Sequence, residues 1–376
     1  MLIAIPVIHG IEHRLALMHR EYRAFCKHLQ VFVGYDRRNL DDEIGLRLEA
    51  GHFEIDPNEI FGRFHEFDAA KNGMVAEHAD AKDPIGGTGT VLASYGRGAL
   101  VQAQGVTLHC ALSGRKQRVV CGDRVAWGYP PSADGPSVLS VEPRRNLIER
   151  IDARGRAEPV ASNLDRLAIV VAPEPAPDWF LVDRYWAGAV LKDMDALLIV
   201  NKLDLAGPSM QPELSTYRNL QLNCLDVSSQ TGEGIAALAQ ALASGVTLLV
   251  GQSGVGKSSL VNALAPEAAA QTAELTRDDE GRHTTTTARW YALGANSAII
   301  DAPGVRDFAP PASLVRAAER GFIEIHQLSV NCRFKDCRHM EEPGCAVRSA
   351  VVTLQIAPRR YESYRRLFRL YEKLAL

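Results

Sequence analysis

The chain has 376 residues, 46% of them hydrophobic and 23% charged, which is enough apolar material for two or three domains with real cores and excludes a disordered chain. Its longest uninterrupted apolar stretches, such as 167–171 and 196–200, fall far short of the roughly 20 residues a membrane-spanning helix needs. They read as buried strands, and no membrane partner is expected. The net charge of -3 is unevenly spread: 10 basic against 6 acidic residues over 84–160, 10 against 5 over 331–376, and an acidic remainder. A polyanionic partner would therefore meet the flanks, unless these are merely solvated faces.

Met1–Val7 is apolar but has no basic lead-in and is cut short by His9, Glu12, His13 and Arg14. No signal peptide is expected. Cys26, Cys110, Cys121 and Cys224 are too scattered for a disulfide framework, so a cytoplasmic, reducing compartment follows. Residues 1–83 carry 15 acidic against 10 basic residues and no legible chemistry. They read as an N-terminal extension, either an added module or, with Met74 opening the polar stretch before Pro84, a start placed too early.

Over 84–160, runs rich in Val, Leu and Ala are broken by glycines: 90–93, 99–103, 106–112, 118–120, 124–127 and 137–141. They predict a small antiparallel barrel of the OB type. Arg115, Lys116, Arg118, Arg144 and Arg145 favour nucleic-acid binding over a purely structural barrel. Over 161–310, strands at 167–171, 196–200, 247–250 and 297–300 alternate with helices around 181–191, 235–242 and after Lys257. This is the signature of a mostly parallel sheet covered by helices. Residues 311–376 end on Tyr361, Tyr364, Phe368, Tyr371 and Leu374 at helical spacing, an amphipathic helix with arginines on its other face.

Gly251-Gln252-Ser253-Gly254-Val255-Gly256-Lys257-Ser258, followed by Ser259, is a phosphate loop between a predicted strand and helix. Its backbone N–H groups can cradle phosphates, Lys257 adds a point charge and the Ser258 hydroxyl can ligate magnesium. Asp301-Ala302-Pro303-Gly304 ends the strand 297–300; the Asp301 carboxylate can hold the magnesium shell and the Gly304 N–H can report the γ-phosphate. Asn201-Lys202-Leu203-Asp204 ends another strand, and a carboxylate at Asp204 can accept from guanine N1–H and N2–H, which adenine lacks. Ser228 and Ser229 are the candidate supports of the base. Between the phosphate loop and Asp301, Gly281-Arg282-His283 precedes Thr284–Thr287. A threonine there, with Thr285 the candidate, would make a switch that holds magnesium only with γ-phosphate present. Cys332, Cys337, His339 and Cys345 supply three thiolates and an imidazole within fourteen residues. They predict one closed structural zinc site, with reduced structural cysteines as the alternative.

In an ordinary GTPase the phosphate loop precedes the guanine-reading motif; here it follows. The fold expected is α/β: a circularly permuted P-loop GTPase domain (161–310) between an OB-type β-barrel (84–160) and a C-terminal α-helical zinc-binding domain (311–376).

From about residue 87 onward the chain resembles the RsgA family of circularly permuted bacterial GTPases that depend on the small ribosomal subunit. The resemblance is carried by GQSGVGKSS, GRHTTT, DAPGVR, NKLD, the Cys332–Cys345 cluster with EPGCAV, CGDRVAW at 121–127, and Ser162-Asn163-Leu164-Asp165. It implies a cytoplasmic, monomeric GTP hydrolase, with Mg2+ and one Zn2+, that acts late in maturation of the 30S subunit. Such a protein binds the subunit and its rRNA with GTP, hydrolyses faster there, and leaves with GDP; a nucleotide-locked RNA-binding scaffold with little catalysis is the alternative. Ala302 replaces the family's usual threonine and Ser229 its alanine. Val305 stands where many GTPases carry the water-orienting glutamine, which makes His283 the candidate catalytic residue.

Overall fold

The computed structural model describes residues 3–6, 43–46, 85–112, 118–131, 133, 135–151, 157–205, 210–267, 288–302 and 312–374. The chain divides into two compact units, Met1–Asp80 and Ala81–Leu376. In the first, β1 (Ile3–Pro6) pairs antiparallel with β2 (Glu43–Leu46), Ile3 opposite Leu46. Everything that follows lies in the second.

Five strands close into a barrel: β3 (Ile85–Tyr95), β4 (Gly98–Ala103), β5 (Val106–Leu112), β6 (Arg124–Gly128) and β7 (Ser137–Val141), in the spatial order β3-β4-β5-β7-β6. Closure depends on the length of β3, which pairs with β6 through its first half and β4 through its second; Thr90 faces both Arg124 and Gln102. All pairings are antiparallel except β5 with β7. Val91, Val101, Cys110, Val125 and Val138 fill the interior. This is the OB-type barrel, without a strand at 118–120. There the backbone turns instead: the Asp123 N–H donates to Val120 O at 3.1 Å and the Val120 N–H to Asp123 Oδ2 at 2.8 Å. A backbone committed to that turn cannot join a ladder.

An unforeseen hairpin, β8 (Leu147–Ile151) with β9 (Ala157–Ser162), forms its own two-stranded sheet after the barrel. Fully buried Asp123 binds it to the barrel, accepting from Ser162 Oγ at 2.6 Å and from Arg144 Nε at 2.7 Å.

The next sheet has six strands in the order β12-β11-β10-β13-β15-β14. They are β10 (Arg166–Val171), β11 (Asp195–Val200), β12 (Cys224–Asp226), β13 (Gly245–Gly251), β14 (Arg289–Gly294) and β15 (Ser297–Asp301), all parallel but for the edge strand β14. β10 and β11 are buried on both faces, which is why they read as continuous apolar runs. Helix α1 (Trp179–Leu191) begins where the Asp178 side chain caps the N–H groups of Phe180 and Leu181, at 3.1 and 3.2 Å. It is joined by α2 (Gln211–Asn219), α3 (Ile235–Ala241) and α4 (Lys257–Leu264).

The C-terminal module consists of a 3-10 segment, Ala312–Gly321, and helices α5 (Ile323–Ser329), α6 (Ala346–Val352) and α7 (Pro358–Leu374). Its core of Phe322, Ile325, Val347, Leu367, Phe368 and Tyr371 continues onto Ala187 and Leu191 of α1. Gly321 lies so close to Ala187 that any side chain at 321 would collide with it. The apolar stripe of α7 is present, but not all its arginines face away. Arg360, in phase with Tyr364, Leu367 and Tyr371, is 1% exposed. It donates to Asp183 of α1 at 2.6 Å and to both oxygens of Glu324 at 2.7 and 2.9 Å. Among the described residues no helix is long and apolar enough to cross a membrane.

Candidate nucleotide site and metal centre

The sheet topology brings the separated motifs to one edge. β13 ends at Gly251, the following loop reverses, and α4 starts at Lys257. Two glycines make this loop possible. Gly251 (φ 144°) sits against the Val170 carbonyl and Gly256 (φ 91°) against the Asn201 carboxamide, and a Cβ at either would collide. Because β11 is two strands from β13, Asn201, the residue after it, reaches across: its Nδ2 donates to Val255 O at 2.9 Å and its Oδ1 accepts from the Ser229 N–H at 3.1 Å. One buried side chain thus fastens the phosphate loop, the Asn201–Asp204 motif and the Ser228–Ser229 turn together.

The charged members are ordered by the same loops. Lys257 Nζ curls over the phosphate loop, donating to Gly251 O at 3.0 Å and Gln252 O at 2.8 Å. Ser258 Oγ lies 3.3 Å from Asp301 Oδ2, so the two candidate magnesium groups meet across β13 and β15. Burial pushes the Asp301 carboxyl above the usual carboxylate range, against the opposing pull of Lys257, Ser258 and Arg289. Asp204 accepts from the Ser228 hydroxyl, which also receives the Thr231 N–H at 3.1 Å. Leu203 and Asp204 sit in a single 3-10 turn. Ser253, Gly254, Val255 and Ser259 occupy the loop and the first turn of α4. His283, Thr285 and Gly304 lie outside the described residues.

Residues 173–178, after β10, were not singled out in the sequence. They are clasped from two motifs: Lys202 Nζ donates to Glu174 O at 2.8 Å, while Gln252 accepts from the Asp178 N–H at 2.9 Å and donates to Ala176 O at 3.3 Å. The run Pro173-Glu174-Pro175-Ala176-Pro177 marks a loop in the sequence, but nothing local marks its partners.

In the C-terminal module the ligand atoms of Cys332, Cys337, His339 and Cys345 lie within 4.8 Å of one another. Cys332 Sγ and Cys345 Sγ are 3.9 Å apart, and each is 3.5 Å from His339 Nδ1. His339 (φ 61°) and Gly344 (φ 73°) supply the left-handed turns that bring the ligands back on themselves. Such a cluster could bind a metal ion.

The profile of the family described as RsgA GTPase matches residues 141–310. A small ribosomal subunit biogenesis GTPase RsgA of Chromohalobacter salexigens is 39% identical over 289 residues, 74% of this chain and 84% of that protein. Its counterpart in Pseudomonas putida is 40% identical over 287 residues, 74% of this chain and 83% of its own. Among solved structures, YjeQ from Thermotoga maritima superposes with a TM-score of 0.60 at 26% identity, covering 76% of this chain and 98% of YjeQ. YloQ, described as a circularly permuted GTPase, gives 0.57 at 21% identity over 79% of this chain and 98% of its own, a likeness of fold.

Proposed function

Since the chain belongs to the RsgA family, and is thereby a GTPase, we propose that it serves late maturation of the small ribosomal subunit in the cytoplasm, binding its rRNA with GTP and leaving after hydrolysis. The observation that carries this reading is the Asn201 junction. It welds a phosphate loop to a guanine-reading motif between two modules whose sequences are both basic. A polyanion gripped at both flanks would then be held or released by the nucleotide between them.

In this reading Asp204 selects guanine, Ser228 and Ser229 hold the turn under the base, and the N–H groups of 251–259 cradle the phosphates with Lys257. Ser258 and Asp301, with Thr285 of the switch, would hold magnesium, which would supply charge neutralisation. Gly304 reads the γ-phosphate and His283 orients the attacking water. The described side chains need only position and neutralise, which is most of what phosphoryl transfer asks of a protein.

The metal of Cys332, Cys337, His339 and Cys345 is read as structural zinc. Zinc bonds of about 2.3 Å to sulfur and about 2.0 Å to nitrogen imply tetrahedral edges of about 3.8 and 3.5 Å. The separations of 3.9 and 3.5 Å among Cys332, Cys345 and His339 fit.

The test is multiple-turnover phosphate release with and without small subunits. Stimulation by subunits is expected, and His283→Ala should keep GTP binding while losing that stimulation. Turnover indifferent to subunits in the native chain would leave a nucleotide-locked scaffold as the better description. Undiminished stimulation in the variant would remove His283 from the mechanism.

A further inference from the structure

A metal-binding histidine has two ring nitrogens, and only one can face the ion. In His339 the Nδ1 atom lies 3.5 Å from both Cys332 Sγ and Cys345 Sγ, inside the cluster, so Nε2 points away. That outer nitrogen lies 2.9 Å from Glu319 Oε2 on a ring that is 1% exposed. A neutral imidazole that gives Nδ1 to a metal carries its proton on Nε2, and a buried N–H needs an acceptor. Glu319 is that acceptor. Its other oxygen, Oε1, is 3.3 Å from His326 Nδ1 and 3.5 Å from Ser329 Oγ, so the carboxylate is itself held in place by α5.

Building on the reading of these four residues as a metal centre, we infer that Glu319 is a positioning residue of that centre. It fixes the tautomer and orientation of His339 and joins the centre to the segment continuing from Asp301-Ala302-Pro303-Gly304. The first part follows from the geometry above, because an outer carboxylate on a ligating imidazole locks the ring and raises its basicity. The second follows from where Glu319 sits. It lies on the 3-10 segment Ala312–Gly321, two residues before Gly321, which seats against Ala187 of α1. The segment is thus pinned at neighbouring positions to the metal ligands and to the GTPase sheet's own helix. Metal occupancy and order of the segment become one linked equilibrium.

The experiment strips the full-length protein with a chelator and titrates it with Co2+ and Zn2+ against a competing dye, for the native chain, Glu319→Ala, Glu319→Gln and His326→Ala. Glu319→Ala should weaken zinc binding by about 10- to 100-fold. Glu319→Gln, nearly isosteric and with an amide oxygen that still accepts the Nε2 proton, should lose less and shift the visible cobalt band. His326→Ala, which leaves Ser329 on the outer oxygen, should lose far less than Glu319→Ala. Hydrogen exchange over 312–321 should quicken on metal removal and, with metal bound, in Glu319→Ala. Native affinity and cobalt spectrum in both Glu319 variants would overturn the inference, as would an equal loss in His326→Ala, which would point to loosened packing instead. A native chain giving no tetrahedral thiolate spectrum with cobalt would remove the metal centre itself, and this inference with it.

Discussion

Asp301 closes β15 and Asp204 sits in the 3-10 turn that follows β11, and the two carboxylates meet different surroundings. Asp204 accepts a hydrogen bond from the Ser228 hydroxyl and sits in an exposed turn. Replacing it with Asn substitutes a donor for one acceptor, which should weaken GTP by about 1–3 kcal/mol, or roughly 5- to 150-fold, and favour xanthosine triphosphate. Competition between the two nucleotides measures this, and an unchanged preference for GTP would reject the guanine assignment. At Asp301, by contrast, burial disfavours the charged carboxylate. With its folded pKa above the unfolded one, the protein loses stability as pH rises from the unfolded value through the folded one, and the full penalty applies above the folded value. Asp301→Asn should therefore melt no lower than the native chain, or slightly higher, while magnesium-dependent turnover collapses. A clear drop in melting temperature would show that the carboxylate stabilises the fold instead.

At the scale of elements, the decisive contact is the one between α1 and α7. Arg360 is enclosed by Asp183, Glu324 and the rings of Phe322 and Tyr217, and Arg359 adds a 2.7 Å bond to Asp183. Removing one partner of a fully buried pair strands the other, at about 3–5 kcal/mol. Arg360→Ala should thus cost several kcal/mol in urea unfolding. Arg365→Ala, which breaks the more exposed pair with Glu362, should cost about 0–1 kcal/mol. Similar losses in both would mean that the network contributes nothing special.

The same helix shows what was legible in sequence. Its stripe announces itself by period alone, as do β10 and β11 by their unbroken apolar runs. The phosphate loop and the Asn201–Asp204 motif are legible because the chemistry of each dictates residue types over a few adjacent positions. An arginine in phase with the stripe was the one sign of Arg360's burial, but its acceptors lie 36 and 177 residues away. Pairings at such separation leave no local pattern. The edge strand β14 and the hairpin β8–β9 were missed because each presents alternating or charged residues to solvent, as with Arg150 and Glu158, 2.7 Å apart. At 118–120, β-forming residues were overruled by a side chain that closed a turn.

For the whole molecule, the permutation has a testable outcome in binding. If the nucleotide decides whether both flanks grip the subunit, cosedimentation with small subunits should retain the chain with a non-hydrolysable GTP analogue and release it with GDP. Equal retention in the two states would count against a switch. The sheet order adds something that motif order alone does not. The phosphate-loop strand β13 lies between β10, which takes the chain in from the barrel side, and β15, which sends it out toward the C-terminal module, and all three run parallel. Tension carried by the covalent chain between the two flanks enters at the start of β10 and leaves at the end of β15. It is therefore carried in shear along the ladders on either side of β13, where many hydrogen bonds resist together, rather than by unzipping them one at a time. A subunit that strains the protein would pull directly on the strand that ends in the nucleotide's cradle.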